Sequence, residues 1–278
     1  NEVANPFFTS YSSTKHSVFV KKYFGRSGKD PALKIQEHLP NNRFLESRMR
    51  HTNSIFFLGL LLKQNCFSTY EPWNEHKLHS YAKFPFKWFL SCLFHDAAFS
   101  LEGHDPFYVK CKKDFPGLIS QLEVNTLLID ESVPDINQFL FQGAQAYFEY
   151  RLKKDKKFDH GILGGLYLFD RLIKIRKEKA KHAQWRWWGE DLIPEYKEVC
   201  SAILCHNIWI PIPADYDTYR KNGLESLADD YDPIKFEDWP FLYLLGLVDT
   251  IDPIKAYKGK GNSAKTILSN LIISLDSM

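Results

Sequence analysis

Six segments with apolar residues at helical spacing constrain the fold of this 278-residue chain most strongly. They cover residues 44–63, 84–98, 135–154, 161–176, 194–207 and 239–251. In the third segment the apolar positions recur at nearly helical intervals, at Ile136, Phe139, Leu140, Ala144 and Tyr147. Pro194 and Pro240 stand near helix starts, where proline is tolerated. The pattern predicts a mostly α-helical chain.

The composition is that of an ordinary globular protein, with 44% hydrophobic residues, 25% charged residues and a net charge of +2. These values exclude a disordered polyelectrolyte and argue against nucleic acid as a partner. The longest apolar run, residues 55–62, is too short to cross a bilayer, so we expect no membrane span. The chain opens without a secretory-signal pattern, and its five cysteines form no CxxC pair. A reduced, cytoplasmic environment is the simplest interpretation.

The domain organisation predicted from the sequence is a single helical domain with decorations. An N-terminal arm or extension covers residues 1–40 and includes a possible short strand at residues 17–24. The helical domain covers residues 41–278 and contains two insertions, at 99–134 and 208–238, which mix proline with charged residues. Connections of this length are functional lids or carry small elements of their own.

Histidines and aspartates stand at the polar ends of the predicted helices. His95 follows Trp88 and Cys92 at i+7 and i+3 and so shares their apolar face. Burying imidazoles and carboxylates is costly unless they are paired or bind a metal ion. The six side chains in such positions are His51, His95, Asp96, His160, His206 and Asp249.

Two explanations fit these six side chains. Imidazole and carboxylate ligands suit Mn, Fe, Zn, Ni or Co, with Mg also considered, and Asp96 could bridge two divalent ions. A bridging water would then become hydroxide near neutral pH. For any single histidine, however, a satisfied core residue is the more common role. The second His-Asp pair, His104-Asp105, lies in a predicted turn and is interpreted as unrelated.

Five segments in order resemble the HD-domain superfamily of metal-dependent phosphohydrolases, whose pattern is His, His-Asp, His, His and Asp on successive helices. They are Arg-Met-Arg-His-Thr at 48–52, Phe-His-Asp-Ala-Ala at 94–98, Asp-His-Gly-Ile-Leu-Gly-Gly at 159–165, Ala-Ile-Leu-Cys-His-Asn at 202–207 and Leu-Leu-Gly-Leu-Val-Asp-Thr-Ile-Asp at 244–252. The resemblance extends over roughly residues 44–256. It implies an HD-type helical fold and a dinuclear metal centre.

The resemblance also implies the ligands of each ion. One ion would be held by His51, His95, Asp96 and Asp249, and the second by His160 and His206 with Asp96 as the bridge. The chain departs from the cyclic-di-GMP hydrolases, which carry Gly-Lys where this chain has Ala98-Phe99. It is also a poor match to the animal cyclic-nucleotide phosphodiesterases around His51.

Cations near the predicted ligands are candidates for binding a phosphate ester. The predicted substrate-binding residues are Arg48, Arg171 and Lys255, and Lys255 is also a catalytic candidate. The other predicted catalytic residues are Asp96, Asp159 and Asp252. Asp252 would assist a metal ligand or shuttle a proton, and Asp159 would orient His160 or exchange a proton with the leaving group. For each cation the alternative is a solvated surface charge.

The function predicted from these residues is metal-dependent hydrolysis of a phosphate ester by a metal-bridging hydroxide. The partner would be a small phosphomonoester, phosphodiester or nucleotide. One alternative is a di-iron oxygenase on the same ligand set, similar to the inositol oxygenases. Another is a non-catalytic, ligand-sensing HD module.

Overall fold

The regular structure of the chain is helical. The computed structural model describes residues 46–70, 73, 84–101, 115–122, 136–181, 193–208, 212–228 and 234–256. Within these ranges there are helices and turns but no strand, which confirms the predicted mostly-α class. The predicted arm at 1–40 and its strand lie outside the described residues.

The helices follow the predicted segments closely. They are α1 Glu46–Asn65, α2 Phe84–Phe94, α3 Phe115–Leu122, α4 Ile136–Asp155, α5 His160–Ala180, α6 Ile193–Cys205, α7 Tyr216–Arg220, α8 Glu225–Ala228, α9 Pro240–Ile251 and α10 Pro253–Ala256. Short 3₁₀ helices cover Ala97–Leu101 and Pro213–Asp215. Both predicted insertions therefore carry small helices of their own.

The chain divides into two compact units. The first contains the described residues within Asn42–Leu93 and Leu244–Met278, and the second contains those within Phe94–Tyr243. The division falls inside α2 and α9.

In the first unit, α1 packs closely on the indole of Trp88. The Trp88 side chain is fully buried, and its Nε1 donates a hydrogen bond to the carbonyl oxygen of Phe56 at 2.9 Å. Any side chain at Gly59 would overlap the indole ring, so glycine is required there for the helices to approach. The short helix α10 also packs on α1, which places the end of α9 beside the N-terminal half of α1.

In the second unit, α5 and α6 lie side by side. A Cβ atom added to Gly165 would stand 2.6 Å from the carbonyl oxygen of Cys200, whereas one added to Gly161 would meet Ile203 and His206. The order of these contacts shows that α5 and α6 are antiparallel. The first residue of α5 is therefore held beside the last turn of α6.

No helix among the described residues has both the length and the apolar character that crossing a bilayer requires.

Candidate metal-binding site

Three side chains in the second unit form a group that can hold a metal ion. The Asp96 group consists of Asp96, His160 and His206, each of which offers a ligand atom within 4.8 Å of the others. Asp96 follows α2, His160 is the first residue of α5, and His206 directly follows α6. The antiparallel packing of α5 and α6 brings the two histidines together, since one stands at a helix start and the other at a helix end.

The Asp96 carboxylate lies between two imidazoles. Its Oδ1 is 3.2 Å from Nε2 of His160, and its Oδ2 is 3.6 Å from Nε2 of His95. His95 is fully buried, and its ring centre lies 5.3 Å from that of His206. The carboxylate therefore has one imidazole nitrogen near each of its oxygens. The donor set therefore fits the ligand chemistry of divalent transition metals.

The orientation of the His206 ring is fixed by the backbone of its own helix. Its Nδ1 donates a hydrogen bond to the carbonyl oxygen of Ile203 at 2.6 Å, which directs Nε2 away from the helix as a ligand atom. Burial, together with the neighbouring His95 and His160, lowers the pKa of His206 to about 4 against the opposing influence of Ile203 and Asp96. The imidazole is neutral at pH 7, and the neutral form is the one that binds metal ions.

Asp159 supports the backbone that carries both histidines of the Asp96 group. One carboxylate oxygen accepts the backbone N–H of Ile162 at 3.0 Å and so caps the start of α5. The other accepts the side-chain amide of Asn207 at 2.7 Å, immediately after His206. Arg151 approaches the same oxygen at 3.6 Å. These contacts make Asp159 a helix cap and a link to α6, while its predicted exchange of a proton with a leaving group stays a prediction.

A second polar group lies in the first unit and is called the His51 group: His51, Ser54, Asp249, Asp252 and Lys255. Nδ1 of His51 donates to Oδ2 of Asp252 at 2.8 Å, and Nε2 lies 3.0 Å from Oδ1 of Asp249. Asp252 is fully buried and also accepts the hydroxyl of Ser54 and the backbone N–H of Lys255. The last contact caps α10, so the turn between α9 and α10 positions this carboxylate.

This geometry would suit His51 to the role of a metal ligand. A carboxylate that accepts a hydrogen bond from Nδ1–H fixes the tautomer and leaves Nε2 as the ring atom that would coordinate an ion, an arrangement common at zinc and related sites. Asp249 is the adjacent carboxylate, and its Oδ2 accepts a hydrogen bond from Nζ of Lys255 at 2.6 Å. The full set His51, His95, Asp96 and Asp249 takes members from both units and stays a prediction.

The predicted cations have different surroundings. Lys255 contacts Asp249 and therefore belongs to the His51 group. Arg171 lies eleven residues after His160, about 16 Å along the axis of α5. Its guanidinium instead contacts Asp170 at 3.8 Å and the ring of Tyr167 at 4.9 Å. The structure does not bring Arg171 to the Asp96 group.

Other predicted residues have side chains outside the described part of the chain. Arg48 lies in the first turn of α1, and its side chain is among those not described. The pair His104-Asp105 and the tryptophan-rich stretch at 185–188 also lie outside the described residues. Predictions made for them stay predictions.

Three residues in or beside the two groups were not predicted as site residues from the sequence. Ser54 stands three residues after His51, which places it on the same helix face, and Asn207 directly follows His206. Phe99 is 42% exposed, and its ring centre lies 5.3 Å from that of His160. The three-residue spacing from His51 could have indicated that Ser54 lies beside it. The contacts of Asn207 and Phe99 depend on how the second unit folds and have no such sequence signal.

Two buried thiols, of Cys92 and Cys205, are influenced by carboxylates of this region. Burial raises the pKa of the Cys92 thiol well above its ordinary value, and the charge of Asp249 raises it further. Burial also raises the pKa of Cys205 to about 12, with a contribution from Asp159. Among the described residues, the side-chain groups that could hold a metal ion contain imidazoles and carboxylates and no cysteine.

Comparison with known proteins provides no assignment of family or function. No protein-family model, curated protein or solved structure matches this chain. The helical fold and the buried His/Asp groups are compatible with an HD-type domain, and they support a capacity to bind a metal ion.

Proposed function

We propose that this chain is a metal-dependent phosphohydrolase that acts on a small phosphomonoester, phosphodiester or nucleotide. The observation that carries the proposal is the Asp96 carboxylate between His95 and His160, with His206 completing the group. Divalent ions bound at these ligands would activate a water molecule and stabilise the charge that develops on the phosphate oxygens. The ordered motifs at 48–52 through 244–252 supply the reaction class.

The chain's own residues have distinct roles in this proposal. Asp96, His160 and His206 bind an ion, and His206 remains neutral so that Nε2 can coordinate. His51 and Asp249 are ligands from the first unit, and Asp252 holds the proton on Nδ1 of His51. Because Asp252 accepts three hydrogen bonds, this geometry favours orientation of His51 over shuttling of a proton.

The surroundings of the two groups favour a particular kind of substrate. Lys255 supplies a cation beside Asp249, and its side chain is 53% exposed, so it is accessible to a phosphate oxygen. Phe99 presents an exposed aromatic ring beside His160, at the position where a phosphate-binding lysine stands in some relatives of the proposed family. We therefore expect a preference for esters with an aromatic or apolar leaving group.

The test combines elemental analysis with an activity screen. The purified full chain is analysed for bound metals and then assayed with p-nitrophenyl phosphate and bis-p-nitrophenyl phosphate in added Mn²⁺. We expect bound divalent metal and hydrolysis of at least one of the two esters. Bound iron together with oxygen consumption and no hydrolysis would overturn the hydrolase proposal in favour of an oxygenase. Metal binding with neither activity would indicate a ligand-sensing domain.

Matched variants connect any activity to the site. Asp96→Ala removes the central carboxylate, whereas Asp217→Ala removes an exposed carboxylate that pairs with Arg220 three residues away. The first variant should lose hydrolysis and the second should retain it. Hydrolysis that survives Asp96→Ala would show that the activity comes from elsewhere.

A further inference from the structure

Two glycines of α5, four residues apart, lie at the contact between the helices that carry His160 and His206. A Cβ atom added to Gly161 would stand 3.0 Å from Nδ1 and Cε1 of His206 and 3.0 Å from the carbonyl oxygen of Ile203. One added to Gly165 would stand 2.6 Å from the carbonyl oxygen of Cys200. The intervening Gly164 differs, because its nearest outside atom would be 3.4 Å away, an ordinary contact.

We propose that Gly161 is a positioning residue for the metal ligand His206. The missing side chain at Gly161 leaves space for the imidazole ring to lie against α5 while its Nδ1 donates to Ile203. The centre of the His206 ring then lies 5.4 Å from that of His160, the residue that precedes Gly161 in α5. At this distance both imidazoles can coordinate one ion. The inference rests on the metal-binding part of the proposed function.

A methyl group at position 161 would displace the His206 ring by a small distance without separating α5 from α6. Alanine at 161 requires a shift of a few tenths of an ångström, and the histidine ring and the Ile203 carbonyl are the groups that must give way. At Gly165 the obstruction is backbone, so alanine there must separate α5 from α6. Gly161 therefore affects coordination, whereas Gly165 maintains the packing on which coordination depends.

The experiment measures binding of Co²⁺ alone to the chelator-treated full chain, with its visible absorption spectrum as the readout. We expect Gly161→Ala to weaken Co²⁺ binding about tenfold and to alter the spectrum, because displaced ligands bind less well. Gly164→Ala is the matched control and should bind Co²⁺ like the wild-type chain. Unchanged affinity and spectrum in Gly161→Ala would overturn the inference.

A double variant separates positioning of His206 from a general packing effect. If Gly161 acts through His206, then Gly161→Ala combined with His206→Ala should bind Co²⁺ no more weakly than His206→Ala alone. A further loss in the double variant would show that alanine disturbs the helix pair itself and would contradict the proposal. Urea denaturation of the single variants checks that Gly161→Ala remains folded.

The outcomes distinguish this inference from the proposed reaction. A wild-type chain that binds Co²⁺ through His206 but hydrolyses neither phosphate ester would refute the hydrolase proposal and leave the role of Gly161 intact. A chain that hydrolyses them while Gly161→Ala keeps wild-type affinity would refute the positioning role alone. A wild-type chain that does not bind Co²⁺ would overturn the positioning role together with the metal assignment.

Discussion

His51 and His206 are oriented by acceptors of different kinds. In the first unit Nδ1 of His51 donates to the buried carboxylate of Asp252 at 2.8 Å, whereas in the second unit Nδ1 of His206 donates to the backbone carbonyl of Ile203 at 2.6 Å. Both contacts involve Nδ1, so Nε2 is the ring atom that would coordinate a metal ion. A carboxylate acceptor adds negative charge and raises the basicity of the ligand, while a carbonyl fixes only its tautomer and direction.

The two groups also differ in what holds them together. The His51 group contains the carboxylates of Asp249 and Asp252 and the ammonium of Lys255, so its own members form ion pairs and hydrogen bonds. The Asp96 group has one carboxylate, which lies beside imidazoles. The positions of its histidines depend on the helix backbone, including the cap that Asp159 provides for α5 and the space at Gly161. Changes of side-chain charge should therefore affect the first group through the basicity of His51 and the second group through loss of a coordinating carboxylate.

The largest effect is expected from Asp96→Ala. This change removes the one carboxylate that approaches both His95 and His160, and the neutral imidazoles that remain cannot replace its charge. We expect a loss of at least about a hundredfold in Co²⁺ affinity of the Asp96 group, the upper end of effects seen when groups around a metal are removed. Elemental analysis and Co²⁺ titration measure the loss, with Asp217→Ala as the control. Full metal content in Asp96→Ala would contradict the ligand assignment.

Asp252→Asn replaces the charged acceptor of the His51 Nδ1–H by a neutral one. The acceptor of His51 then resembles that of His206, which is a neutral backbone carbonyl. The amide oxygen can still accept from His51 and the Lys255 backbone, and the Ser54 hydroxyl can reverse its direction to accept from the amide nitrogen. We expect about a tenfold loss of metal affinity at His51, caused by charge rather than by geometry. Ser54→Ala, which keeps the charge, should have a smaller effect. Equal affinities for wild type and Asp252→Asn would show that orientation alone matters.

The helices and the ligand positions were predictable because they depend on local patterns. Apolar periodicity located α1, α4 and α6 to within two residues at each end, since each buries one face along its length. The positions of His95 and His206 at helix ends followed from the same patterns. The end of α2 at Phe94 was not predicted, because the turn into a 3₁₀ helix at Ala97–Leu101 depends on contacts with α5.

The functions assigned to charged residues were less predictable, because they depend on distance in three dimensions. Arg171 shares a helix with His160, but eleven residues correspond to about 16 Å along the axis, so a common face does not mean a common site. Asp252 follows Asp249 by three residues, yet its contacts with His51 and Ser54 require the turn into α10. The spacing of residues along one helix indicates which face of the helix a side chain occupies. The packed structure is needed to show which other elements that face contacts.

Asp159→Ala tests the backbone support of the Asp96 group. The change removes the cap of α5 and leaves the Asn207 amide without its acceptor, so we expect the free energy of unfolding to fall by about 2 kcal/mol. Urea denaturation measures the fall, and Asp217→Ala, which removes an exposed carboxylate, should change it little. Co²⁺ affinity should fall less than in Asp96→Ala, because the ligands themselves remain. A loss of metal binding with unchanged stability would instead indicate that Asp159 contacts the ion or the substrate.

Lys255→Met should have the smallest effect and tests whether the cation of the His51 group serves binding of substrate. Its ammonium pairs with Asp249 at 2.6 Å but is 53% exposed, and exposed ion pairs contribute little to folding. We expect nearly unchanged stability and a KM for bis-p-nitrophenyl phosphate raised roughly threefold at unchanged kcat, since one exposed charge contact is lost. Lys153→Met, which removes an exposed cation from α4, is the control. A lowered kcat at constant KM would mean that Lys255 acts on the reacting atoms and not only on binding of the substrate.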